Sequence, residues 1–160
     1  MTNAEHCNRY SADLWRFALD LYAAEGVAAA CLRLQDDAGI DVCELLWRCW
    51  LAHGGLQPAA AAQSALDEVR RWQQQMTAPL RDRRRRLKPL AADNPQLEPL
   101  REHLKRAELE SEKQALTMLQ ALAGAPVAGA AFDIVRHHYG LTDNAPRQAL
   151  DTLIARATAL

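Results

Sequence analysis

Valine and isoleucine are scarce in this chain, five and three in 160 residues, and no stretch shows sustained alternation of apolar and polar side chains. Both features mark strands, so a sheet-based fold is not expected. No apolar run approaches the roughly 18 to 20 residues that a membrane span needs. The segment Met1 to Arg9 is polar and includes Glu5, without the apolar region of a secretion signal. No two of the four cysteines, Cys7, Cys31, Cys43 and Cys49, have C-x-x-C spacing. That argues against a zinc knuckle or a thioredoxin-type site. Three of them lie in apolar helical patterns, where a thiol acts as a small hydrophobe, so the expected compartment is the cytoplasm with thiols reduced. There is no glycine-rich phosphate loop, no H-E-x-x-H, and no Ser, Cys or Lys in a recognised nucleophile setting. No fixed-period repeat is visible.

What is present is 49% hydrophobic and 24% charged, the composition of one soluble domain and too apolar for disorder. A chain of this length buries about two thirds of its unfolded surface and needs no metal or disulfide to fold. Residues 1–10 read as a flexible N-terminus and 11–160 as a single helical domain, with 93–95 the one place where it would subdivide.

Alanine and leucine at helical spacing dominate. Ser11 is placed to cap a first helix whose face is Leu14, Phe17, Ala18, Leu21 and Tyr22, widened by Trp15 and Leu19. Gly26 closes it. Val27 to Ala38 forms a second, with Val27, Ala30, Cys31 and Leu34 inward and Gly39 as its left-handed terminus. Asp41 and Glu44 make a capping box for a third, with Val42, Leu45, Leu46, Cys49, Trp50 and His53 inward. Gly54-Gly55 stops it, and Pro58 fits the first turn of a fourth carrying Ala62, Ala65, Leu66, Val69, Trp72, Gln73 and Met76.

Thr77-Ala78-Pro79 reads as punctuation before a short basic helix from Leu80 to about Leu90, and Asp93-Asn94-Pro95 is the clearest break in the chain. A long helix then starts between Pro95 and Leu100 and runs to about Ala123. Its expected seam is Leu97, Leu100, Leu104, Ala107, Ser111, Gln114 and Met118, and its expected surface pairs are Glu102 with Arg106 and Glu110 with Lys113. After Gly124-Ala125-Pro126 comes a helix with Val127, Ala131, Ile134, Val135 and His138 inward, closed by Gly140. The last opens around Asn144-Ala145-Pro146 and buries Leu150, Leu153, Ile154 and Ala157. The expected fold is an all-α, single-domain bundle of seven or eight helices.

The formal net charge of −1 hides an uneven distribution. Residues 1–67 carry 4 basic and 9 acidic groups, whereas residues 68–113 carry 12 and 8. Four consecutive arginines, Arg83 to Arg86, point around most of a helix. Arg81, Arg84, Arg85 and Lys88 share one face at i, i+3, i+4 and i+7. Guanidinium suits carboxylate or phosphate recognition. This stripe, extended by Arg70 and Arg71, is the expected partner-binding surface, standing free in water for an acidic protein. An RNA- or ribosome-associated role through the same face is the alternative. Against it stand the balanced total charge and the absence of aromatic residues among the arginines.

Three carboxylates, Asp36, Asp37 and Asp41, are close in sequence and offer a candidate metal site for a small metal-dependent enzyme. No second acidic cluster accompanies them, and Asp41 already has a structural use as a cap. His137-His138-Tyr139 sits in a last helical turn, where histidine suits the helix dipole. His53 on the Trp50 stripe reads as a hydrogen-bonded core residue. Trp15, Trp47, Trp50 and Trp72 fill a helical core or line a partner groove.

The residues Leu14-Trp15-Arg16-Phe17-Ala18, Gly26-Val27, Cys31 to Asp36, Asp41-Val42, Leu45-Leu46 to Trp50-Leu51, Pro79-Leu80-Arg81, Arg84 to Lys88 and Glu108-Leu109-Glu110 form a pattern over roughly 11–120. It resembles a family of short proteobacterial proteins of uncharacterised function. The resemblance implies a cytoplasmic bacterial protein with no known cofactor and supplies no catalytic residues. The expectation is a non-enzymatic interaction or regulatory protein, with no cofactor and no membrane association.

Overall fold

The structure, a computed structural model, describes residues 13–160. The expected flexible segment 1–10, Cys7 and Ser11 lie outside the described residues. Helix α1 (Leu14–Ala23) is capped by Asp13, whose carboxylate accepts from the Arg16 N–H at 2.8 Å. Then follow α2 (Val27–Ala38), α3 (Val42–His53), α4 (Gln63–Trp72), α5 (Ala78–Asp93), α6 (Glu98–Gln120), α7 (Ala131–Tyr139) and α8 (Asn144–Thr158). A π-helical turn, Gln73–Thr77, joins α4 to α5 without interruption, so the described residues form seven helical rods in an all-α bundle.

The core follows the expected faces in the first half and the last helix. Leu14, Phe17 and Leu21 of α1, Val27 and Leu34 of α2, and Leu153 of α8 are fully buried. Each such side chain contributes roughly 2 kcal/mol through removal from water. α2 packs along α8, where the small residues Ala30 and Ala149 are both buried. Gly39 ends α2 at φ +63°, a conformation that a Cβ would strain. Helix α3 is the exception to one-sided burial: Cys43, Leu45, Trp47 and Leu51 are buried, as are the charged Glu44 and Arg48. It is the central rod, in contact with α1, α6, α7 and α8.

Three sequence expectations fail for physical reasons. First, Pro58 does not open a helix: in this all-α bundle it ends a strand of three residues, β1 (Leu56–Pro58), which pairs antiparallel with β2 (Gly124–Pro126). Strands this short cannot display alternation. A Cβ at Gly124 would lie 3.0 Å from Leu51 Cδ2, so a larger residue there would force that leucine to shift.

Second, Thr77-Ala78-Pro79 does not break the chain. Pro79 has no N–H, and its ring would collide with the carbonyl four residues back. The π turn absorbs this, with the Ala78 N–H reaching the carbonyl of Gln73. Pro89 also lies inside α5.

Third, the seam on α6 is misplaced. Leu100 is 52% exposed, and the buried residues are Glu108, Ser111, Ala115, Leu116 and Leu119. Only the second half of α6 reaches the body. Its first half packs against α5 across the Asn94 turn, and Ala91 is the only buried residue of α5. The expected Glu102–Arg106 pair is replaced by Glu102–Lys105 at 3.0 Å, whereas Glu110–Lys113 is present at 3.7 Å. Helix α5 and the first half of α6 thus make a helical arm extending from the body.

Candidate functional site

Between arm and body runs a groove of about 950 Å³. One wall is α1 and α2 with the loop entering α3. The other is Arg70 of α4, the π turn, and Arg81, Arg84 and Arg85 of α5. Glu108, Leu109 and Glu112 of α6 lie at its base, and His138 and Tyr139 at the end of α7 also line it.

Four of the six expected partner-binding residues line the groove. They do not stand free. Arg81 donates from Nε to Glu108 at 2.9 Å and from Nη2 to Glu112 at 2.9 Å. Arg84 donates from Nε to the other Glu108 oxygen. Arg85 donates to Asp36 at 2.8 Å, across the mouth of the groove from α5 to α2. Arg70 grips Glu44 with Nε and Nη2, both at 2.9 Å, and holds Asp67 with Nη1 at 3.2 Å. Arg71 and Lys88 are exposed and have no ion pair among the described residues. The expectation of a stripe free in water is therefore corrected for Arg70, Arg81, Arg84 and Arg85. Helical spacing does show that these arginines share a face, but it does not show what that face meets. Counted from the middle of the 94–97 connection, Arg81 and Glu112, and likewise Arg84 and Glu108, are about equally far along their helices, as an antiparallel hairpin dictates. That was the available signal for Glu108 and Glu112: two glutamates at i, i+4 across a turn from two arginines at i, i+3.

Electrostatics inside the groove are uneven. Burial pushes the Glu108 carboxyl up, but Arg84 and Arg81 outweigh it and hold it below 4.5. Glu44 behaves alike: burial raises it, and hydrogen bonds from Arg70 and Arg48 bring it below the ordinary value. At Glu112, burial wins over Arg81 and the carboxyl lies above its usual range. Asp41 is also raised by burial, against hydrogen bonds from the Glu44 N–H and Gln73. The Glu44 side chain turns to Arg48 and Arg70, so only the Asp41 half of the expected capping box forms. The π turn is held by Thr77, which donates to Gln73 and shares a 2.6 Å hydrogen bond with Ser111.

The aspartate cluster does not converge. Asp36 faces Arg85, Asp37 lies 4.0 Å from Arg33, and Asp41 caps α3. Among the described residues no group of three His, Cys, Asp or Glu could hold a metal ion. His138 lies 4.0 Å from Glu44, and burial followed by the charge of Arg48 lowers its pKa. His53 contacts the Ala157 carbonyl at 3.1 Å. Cys31, Cys43 and Cys49 are buried thiols outside any disulfide, and burial pushes Cys31 up to about 12. Trp47 is fully buried, Trp72 donates to the Ser111 carbonyl, and Trp15 lines the groove with the Lys113 ammonium 4.8 Å from its ring centre.

Sequence reasoning missed the apolar half of the site. Leu19, Tyr22, Leu32 and Leu109 line the groove and are each about half exposed, at 46, 49, 55 and 46%. Leu19 and Tyr22 read as core by helical spacing. The arm that would cover them stands off. The site is thus a two-sided groove, apolar on the body and cationic with bound carboxylates on the arm, in an all-helical protein.

A family model described as a protein of unknown function (DUF2390) matches residues 13–119. The chain belongs to that family, and the matched span holds every groove residue except His138, Tyr139 and Leu141. No curated protein and no solved structure matches the chain. No helix among the described residues is long and apolar enough to cross a membrane.

Proposed function

We propose that this is a non-enzymatic, cytoplasmic interaction protein that docks an acidic, amphipathic segment of a partner protein in the groove. The carrying observation is the pairing of half-exposed Leu19, Tyr22, Leu32 and Leu109 with arginines opposite. Arg81 spends Nε on Glu108 and Nη2 on Glu112, and Arg84 spends Nε and Nη2 on Glu108, so each retains an Nη1 without a partner among the described residues. A guanidinium has five donors, and a fork already oriented loses little freedom on meeting a second carboxylate. At Arg85 an incoming acid replaces Asp36, exchanging one exposed pair for another. Apolar anchors in a groove with charge on the flank are the pattern of an amphipathic segment.

Short capped peptides of Leu, Ala and Glu, and the same peptides with Gln for Glu, test this by fluorescence anisotropy. The acidic peptide binds, weakens as salt rises, and loses affinity when Leu109→Glu or Arg84→Gln is introduced. Equal affinity for both peptides, or none for either, overturns the proposal. The RNA-associated alternative draws on arginines already committed to carboxylates. A steep log–log salt slope for generic RNA would restore it. The small metal-dependent enzyme has no gathered ligand set in support. A melting temperature raised by Mg²⁺ in the wild type but not in Asp36→Asn would favour it.

A further inference from the structure

A helix closes its backbone hydrogen bonds along its own axis, so a helical wall offers an incoming chain side chains and no ladder to join. The groove is walled in that way, by α1 and α2 on one side and α5 on the other, with α6 at the base. The one sheet among the described residues, β1 with β2, contributes no residue to it. The loop 39–41, which enters the groove, spends the Gly39 and Ile40 N–H groups on the Leu34 carbonyl. An extended segment laid on Leu19, Tyr22 and Leu32 would bury its own N–H and C=O groups against apolar carbon, a cost that a helical segment avoids.

The charges carry a matching spacing. Residues 81–106 hold nine basic and four acidic groups in a chain whose formal net charge is −1, so the arm is its cationic part. Arg81 and Arg85 both line the groove, and they stand one helical turn, about 6 Å, apart along α5. Carboxylates at i and i+4 of a second helix have the same separation.

We infer that the occupant of the groove binds as an α-helix lying along α5, with leucines on Leu19, Tyr22 and Leu32 and two carboxylates one turn apart on Arg81 and Arg85. This rests on the docking proposal above and adds the partner's conformation and the spacing of its sequence. A helix about 10–12 Å across fills the 950 Å³ of the groove with about two turns. The recognition segment is therefore short, apolar at i, i+4 and i+7 and acidic at i+1 and i+5 on the neighbouring face. One carboxylate meets Nη1 of Arg81, whose Nε and Nη2 are on Glu108 and Glu112, and the other takes the place of Asp36 on Arg85.

The test compares a capped, fluorescein-labelled peptide of Leu, Ala and Glu built on that spacing with one of the same composition in which Leu and Glu alternate. The helical design binds the wild-type protein at least about ten-fold tighter, because an extended chain leaves its backbone unpaired. Changing one of its alanines on the solvent side to Gly lowers affinity about five-fold, and to Pro roughly a hundred-fold, following helix propensity. In the complex, the Cα chemical shifts of the ¹³C-labelled peptide are helical. Arg85 is exposed and pairs only with Asp36 among the described residues, so Arg85→Gln leaves the fold intact. In that variant, replacing one of the two peptide glutamates by Gln costs nothing further, and replacing the other costs as much as in the wild type. Equal or tighter binding of the alternating peptide, Gly and Pro changes without effect, or extended Cα shifts overturn the helix and leave the docking proposal standing. Additive losses at both glutamates overturn the alignment on Arg85. Failure of every peptide to bind overturns both proposals.

Discussion

In the body, α1, α2, α3 and α8 close around fully buried Leu14, Phe17, Leu34, Trp47 and Leu153. In the arm, α5 buries one alanine, and its inward contacts with α6 include Arg81 and Arg84 on Glu108 and Glu112. Burial is non-directional and tolerates no gap. Ion pairs are directional, fix a register and leave the surface between arm and body uncovered. That difference is why a groove exists: the arm is held to its own hairpin more firmly than to the body, and the wall it faces keeps Leu19, Tyr22 and Leu32 half in water.

The comparison is broken most severely from the body side. Phe17→Ala should cost about 4 kcal/mol of global stability, read by urea unfolding. A loss under about 1 kcal/mol would show that the body is not the stabilising unit. Next in size is the arm. Glu108→Ala strands the Arg84 guanidinium, leaves Arg81 with Glu112 alone, and should cost about 2 kcal/mol. Hydrogen exchange should place the loss on α5 and the first half of α6, leaving α2 and α8 protected. Uniform loss across all helices would deny the arm its independence.

Acid titration sharpens the picture within the arm. Glu108 has a depressed folded pKa, so its contribution is present above the ordinary 4.5 and disappears as pH falls through the lower folded value. Glu112 is raised, so its contribution is present below 4.5 and is lost as pH rises through the higher folded value. At neutral pH, Glu108→Gln therefore lowers the melting temperature while Glu112→Gln leaves it unchanged or raises it. Equal losses from both would contradict this assignment. The smallest effect is at the groove mouth. Asp36→Asn breaks an exposed pair and should leave the melting temperature unchanged. It also frees Arg85, and affinity for the acidic peptide should rise about two-fold if Asp36 competes with the partner. A fall in affinity would assign Asp36 to the binding surface.

Legibility followed the same division. Helix α2 was readable to the residue, with its inward face and its Gly39 terminus, because periodicity and caps are local. Leu150, Leu153, Ile154 and Ala157 of α8 were readable for the same reason. The arm was misread at Pro79, where the π turn carries the helix through, and at Leu100, which has the spacing of a seam residue and nothing to pack on. Of the candidate site, the shared arginine face was visible and the carboxylates that hold it were not. Tyr22 looked like core and Tyr139 like an ordinary helix end.

Composition and helical spacing alone were enough to dictate an all-α bundle, most of its breaks and most of its body core, since each depends on residues a turn or two apart. Which arginine meets which carboxylate, that Leu19 and Tyr22 remain uncovered, and that the Tyr139 hydroxyl is buried without a hydrogen-bond partner among the described residues depend on residues up to about a hundred positions apart. Such contacts follow from how the rods stack and from the hairpin's register, and no periodicity along a single helix encodes them.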